Sequence, residues 1–144
     1  MSIADLHIED VVTFTVPYIT PPSVNHYTKS CYYRGADGQS HKGKKRTPEA
    51  NAFREAVAIF ARGRTVAPPT NNLRSKAKYK VEITLTLGKN VRLDADNGMK
   101  VALDALQWAG VIHSDAFVVE AKAIVIKDNR ENPSTAFLVI RTEP

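Results

Sequence analysis

Residues 79–87 set the tightest constraint on what this chain can become. Tyr79, Val81, Ile83, Leu85 and Leu87 alternate with Lys80, Glu82, Thr84 and Thr86. A period of two held over that length predicts a strand with one buried and one wet face, and so a sheet whose inner side needs a covering layer. A little further on the period lengthens. Met99, Ala102, Leu103, Leu106 and Ala109 recur at helical spacing and predict a helix over 97–109 with one apolar side. Gly110 stands where a helix stop is expected.

The remaining segments fill in around this pair. Val11, Val12, Thr13, Phe14, Thr15 and Val16 predict a strand over 10–17, ended by prolines at 17, 21 and 22. Thr47, Pro48 and Glu49 open a helix as N-cap, first-turn proline and first-turn acid. Phe53, Ala56, Val57 and Phe60 give that helix its apolar side until Gly63 ends it. Residues 64–77 read as a loop. Residues 117–126 read as a strand with Phe117, Val119, Ala121, Ala123 and Val125 on one face and Lys122 on the other, and 136–140 as the last strand. Residues 1–10 read as an irregular start. The order is strand, helix, strand, helix, strand, strand: a two-layer α+β domain, a mixed sheet with two main helices, spanning 1–144 as one unit.

Composition narrows the class. The single cysteine, Cys31, cannot form an intrachain disulfide. No run is apolar or long enough for a membrane helix, and the N-terminus lacks a basic stretch followed by an apolar one, so a cytoplasmic protein with no membrane partner is expected. Charge is distributed unevenly. Residues 1–28 carry three acids and no Lys or Arg; residues 29–92 carry 15 basic and 4 acidic side chains; residues 93–144 carry 5 basic and 8 acidic ones. A basic middle beside an acidic cluster suits a nuclease that holds a phosphate backbone with cations and a metal with carboxylates. Such charge is more often a solvated surface, and only the acidic cluster beside it lowers that reading.

Between 28 and 46, Lys29, Arg34, Lys42, Lys44, Lys45 and Arg46 mix with Tyr32, Tyr33 and three glycines. This predicts a nucleic-acid-contacting loop or hairpin, mobile without its ligand. Lys42, Lys44, Lys45 and Arg46 are the candidate phosphate contacts. Asn25, in a turn-rich stretch after the prolines, is a candidate substrate contact with turn capping as the equal alternative.

The acidic cluster carries the chemistry. Asp94 and Asp96 stand two apart just before the predicted helix, with Asp96 or Asn97 as its N-cap. Asp96, Lys100 and Asp104 recur every four residues and share one helix face. Asp115 follows the glycine stop and is expected to fold back beside Asp94 and Asp96. Three such carboxylates repel one another and call for a hard cation, Mg²⁺ or Mn²⁺. Lys100 then reaches a phosphate oxygen or orients water, and Asp104 orients Lys100. A lone Asp-x-Asp is usually a loop or cap, and the Asp96–Lys100–Asp104 ladder is by itself an exposed ion-pair row.

The combination Asp94-Ala95-Asp96-Asn97, Lys100, Leu103-Asp104-Ala105-Leu106, Gly110 and Asp115 resembles the core of the RusA family of Holliday junction resolvases. The resemblance is strong over 92–127 and looser over 21–54. It implies a homodimeric, Mg²⁺-dependent endonuclease that nicks four-way DNA junctions symmetrically in recombination and repair. Asp94, Asp96 and Asp115 would be its catalytic, metal-binding carboxylates, Lys100 its essential lysine, and Asn97 and Asp104 their supports. Asn25 falls in a stretch similar to one with an asparagine in the family, and Lys122, a further candidate DNA contact, falls where the family often has a lysine. The family usually has paired aspartates where this chain has Ser114-Asp115. That departure keeps open a nucleic-acid-binding module with weak or lost activity.

Overall fold

The computed structural model describes residues 11–22, 28–66, 78–88, 91, 93–127 and 132–142. Their elements run β1 (Val11–Pro17), β2 (Thr28–Arg34), β3 (Ser40–Arg46), α1 (Pro48–Ala61), β4 (Lys78–Leu87), α2 (Ala95–Trp108), a short 3₁₀ turn (Asp115–Phe117), β5 (Val118–Lys127) and β6 (Ser134–Thr142). Four strands form one sheet in the order β1-β6-β4-β5. β4 and β5 run parallel, while β6 is antiparallel to both β1 and β4, so the sheet is mixed as expected. Among the described residues β2 and β3 pair only with each other, and the basic middle segment is therefore a hairpin.

Both helices lie on one face of the sheet. β4 buries every second residue from Tyr79 to Leu87, matching its alternation. Val12, Phe14 and Val16 of β1 and Phe137 and Val139 of β6 bury beside it, and Phe14 stacks on Phe137 at 4.9 Å. α1 closes this layer with Ala50, Phe53, Val57 and Ala61. It begins as its sequence directs: the Thr47 hydroxyl accepts the Ala50 N–H at 3.3 Å, and Pro48 occupies the first turn.

α2 departs from expectation in detail. It starts at Ala95 rather than after Asp96, because Leu93 is anchored in the core and the chain turns at the next residue. Its buried line is Gly98, Val101, Ala102, Ala105 and Leu106; Met99, Leu103 and Ala109 lie at the margin. Gly98 decides this rotation. A Cβ there would come within 2.7 Å of Leu85 Cδ1 and 3.2 Å of Leu93 Cδ2, so the helix approaches β4 where it has no side chain. Gly110, at φ 78°, reverses the chain, and the Val111 N–H donates to the Leu106 carbonyl at 3.0 Å, the bond that seals a helix ending in a left-handed residue.

β5 also corrects the sequence reading. Phe117 belongs to the 3₁₀ turn, not to a strand. The register slips between the Tyr79–Val118 and Lys80–Glu120 pairs, so Val119 is the extra residue of a bulge and is 54% exposed. Ala121, Ala123 and Val125 then pair with Val81, Ile83 and Leu85 on the helix side, as expected.

Candidate nucleic-acid and metal site

Asp94 is the N-cap of α2. Its backbone is extended and its carbonyl accepts the Gly98 N–H at 2.9 Å, but its carboxylate makes no capping bond. Asp96 lies in the first turn and Lys100 one turn on; both are exposed, and Asn97 between them is half-buried. The carboxylates of Asp94, Asp96 and Asp115 take part in none of the ion pairs among the described residues. Ionised oxygens at the positive end of a helix are stabilised by its dipole and stay available to a cation. Their chemistry, oxygen only and open to water, fits Mg²⁺, which commonly takes one or two carboxylates and completes its shell with water and phosphate.

Asp115 is elsewhere. It opens the 3₁₀ turn, and its N–H donates to Gln107 Oε1 at 3.2 Å. Gln107 lies in the last turn of α2, and the 14 residues of α2 span about 21 Å at 1.5 Å per residue. The expectation that Asp115 folds back beside Asp94 and Asp96 is therefore corrected: the length of α2 separates them, because the chain enters β5 at the far end of α2 from Asp94. Among the described residues, no three His, Cys, Asp or Glu side chains converge closely enough to hold a metal ion. Ser114 has a local task. Its hydroxyl accepts the Ala116 N–H at 3.2 Å and caps the turn, which an aspartate in its place would also do.

Asp104 has a partner the sequence did not reveal. Arg54 of α1 reaches across so that its Nε lies 3.6 Å from Asp104 Oδ2, and its guanidinium sits 4.6 Å from the centre of the Trp108 ring. Arg54 thus ties α1 to the stripe of α2 that carries Asp96, Lys100, Asp104 and Trp108. Gln107, which tethers the Asp115 turn, was missed in the same way. Both act across elements, and no local spacing marks such pairs.

The hairpin gathers the expected cations. Lys42, Lys44, Lys45 and Arg46 all lie on β3. At its tip Asp37 accepts from the Gln39 N–H at 3.0 Å and holds His41 Nε2 at 3.0 and 3.1 Å. The His41 bond, then the Gln39 bond, holds the Asp37 carboxyl below the usual carboxylate range. Lys122 lies on the other side of the molecule from α2: its register partner is Glu82, on the face of the sheet that carries no helix. A shallow pocket of about 170 Å³ opens there among Lys80, Glu82, Glu120, Lys122, Leu138 and Ile140, and Lys80 pairs with Glu120 at 3.3 Å. Asn25 falls outside the described residues.

A helix start rich in free carboxylates, a lysine one turn along and a separate basic ribbon define a protein of the nucleic-acid-processing class. The comparison with protein families makes this particular. The family described as Endodeoxyribonuclease RusA matches residues 20–137, most of the chain. The protein belongs to the RusA endodeoxyribonuclease family. No individual curated protein matches it. No helix among the described residues is long and apolar enough to cross a membrane.

Proposed function

We propose that this chain is a Mg²⁺-dependent, structure-specific endodeoxyribonuclease that acts as a homodimer in the cytoplasm and resolves four-way DNA junctions by paired symmetric nicks. Membership of the RusA family over a span containing Asp94, Asp96, Lys100 and Asp115 carries this reading. Asp94 and Asp96 would hold the ion. A bound Mg²⁺ lowers the pKa of a coordinated water and neutralises charge on the phosphate. Lys100 donates to a phosphate oxygen from the same helix face as Asp96. The free N–H groups at the start of α2 favour a phosphate there as well. Asp104, tied to Arg54, fixes the face from which Lys100 works. Asn97 supports the ion from the first turn, and Asn25 and the hairpin cations Lys42, Lys44 and Arg46 hold DNA.

The distance between Asp115 and the other two carboxylates bears on the homodimer. One chain offers Asp94 with Asp96 at one end of α2 and Asp115 at the other. In a two-fold dimer the Asp115 turn of a second copy can complete the first copy's pair, giving each junction strand one centre.

The same separation, with Ser114, favours a second reading, a DNA-binding module with weak or lost cleavage. Purified protein and a synthetic four-way junction distinguish the two. The nuclease gives paired nicks with Mg²⁺ or Mn²⁺ and none in excess EDTA, with Ca²⁺ supporting binding better than cleavage. Tight binding without nicks in any of these metals establishes the second reading, and full activity in EDTA rejects the metal mechanism.

A further inference from the structure

The β2–β3 hairpin has two chemically different sides. Its register pairs Ser30 with Lys44, Tyr32 with Lys42 and Arg34 with Ser40, and places Arg46 at its base. Directly opposite residues in an antiparallel pair share a side, and the side alternates along each strand. Arg34, Lys42, Lys44 and Arg46 therefore project from one side, with Tyr32 among them. The other side holds Lys29 opposite Lys45 at the base, then Cys31 opposite Gly43 and Tyr33 opposite His41.

The two tyrosines differ accordingly. Tyr33 is occupied: its ring stacks on His41 at 5.6 Å and lies over Gly43, where a Cβ would come within 2.9 Å of its Cε1. Asp37 in turn holds His41. This side stiffens the ribbon. Tyr32 is 75% exposed, and its neighbours on its own side are cationic or small and polar. An aromatic ring presented to water inside a row of cations has the composition of a single-strand stacking platform, where cations hold phosphates and the ring takes a base.

Taking the junction-cleaving reading as its basis, we infer that the Tyr32 side of the hairpin is the DNA-reading side, and that Tyr32 stacks on a nucleobase left unpaired or unstacked at the branch point. Inside a duplex the base faces are buried in the stack, so away from duplex ends the ring finds its partner at a branch. Charge complementarity assigns the occupant: the side bears four cations and none of the hairpin's carboxylates. Lys45, on the opposite side, is excluded from this contact although it is adjacent in sequence to Lys44 and Arg46.

The test is binding by the full chain in Ca²⁺, without cleavage, to a four-way junction carrying 2-aminopurine at the branch point and to a linear duplex of the same sequence. Tyr32→Ala is expected to weaken junction binding about tenfold to a hundredfold, to leave duplex binding and the salt slope near wild type, and to abolish the 2-aminopurine signal. Tyr32→Phe retains both affinity and signal. Lys44→Ala shallows the slope of log affinity against log salt by about 0.9, while Lys45→Ala leaves it in place. Equal losses for Tyr32→Ala and Tyr33→Ala, an unchanged 2-aminopurine signal, or equal slope changes for Lys44→Ala and Lys45→Ala would overturn the inference. Circular dichroism of each variant separates these losses from unfolding. Failure here leaves Mg²⁺-dependent nicking by the wild type intact, whereas absence of nicking with normal Tyr32 behaviour rejects the nuclease and keeps the binding side.

Discussion

Asp96 stands exposed in the first turn of α2, with no ion-pair partner among the described residues, so its charge is the property to remove. Asp96→Asn keeps the shape and deletes a metal-bearing charge. Single-turnover cleavage of a four-way junction is expected to fall by orders of magnitude, on the order of 10²-fold or more. Junction affinity in a gel shift should hold or rise, because repulsion from phosphate is relieved. Normal cleavage by this variant would remove Asp96 from the site. Asp37 gives a pH-dependent outcome. Its folded carboxyl titrates below its usual range because His41 and the Gln39 N–H bind the ionised form. The stabilisation is thus complete above the ordinary carboxylate range and is lost as pH falls through the lowered value. Titration followed by the Gln39 amide resonance should show the hairpin tip loosening only in acid, and Asp37→Asn should remove that transition.

The elements differ in how far the sequence disclosed them. α1 was legible to its first residue, because a Thr-Pro-Glu start is a local signal and the structure uses each part of it. β4 was legible because alternation over its length admits one register with the core. The rotation of α2 was not, since the apolar residues on either side of Gly98 permit two neighbouring faces and only the approach to Leu85 chooses. The bulge at Val119 was equally hidden, because register belongs to a pair of strands and not to one. The site divides along the same line: Asp94, Asp96 and Lys100 were readable as helix-start residues, while the position of Asp115 depended on the length and direction of α2. Gly98→Val follows from the contact at Leu85. It overpacks the helix–sheet contact and should lower stability by about 1–3 kcal/mol in urea unfolding. A stability equal to wild type would mean that α2 can stand away from β4.

At the scale of the whole molecule, the decisive quantity is the separation of carboxylates by the length of α2. If each centre draws Asp94 and Asp96 from one copy and Asp115 from the other, two inactive variants can repair each other. Asp96→Asn and Asp115→Asn homodimers should each fail to nick. After exchange of subunits, the mixed dimers carry one centre with all its carboxylates and one with neither set complete. Mixing is therefore expected to restore nicking on one strand of the junction at a time, read on a denaturing gel with each strand labelled in turn. If all three carboxylates serve within a single chain, both centres of a mixed dimer stay broken and no nick returns. Sedimentation at micromolar concentration supplies the companion measurement, and a monomer that still resolves junctions bilaterally would contradict the arrangement.

The two-sided hairpin also governs which changes in chain length the protein tolerates. On both strands the side bearing Tyr32 is built from even-numbered positions, and the side bearing Tyr33 from odd-numbered ones. Deleting one residue within a strand inverts that parity beyond the deletion and carries the even-numbered cations past it to the stiffening side. Deleting two restores parity and shortens the ribbon without turning it over. Among sequences descended from a common ancestor, the ribbon can therefore lengthen or shorten freely only in steps of two, and odd steps must be absorbed in its turn.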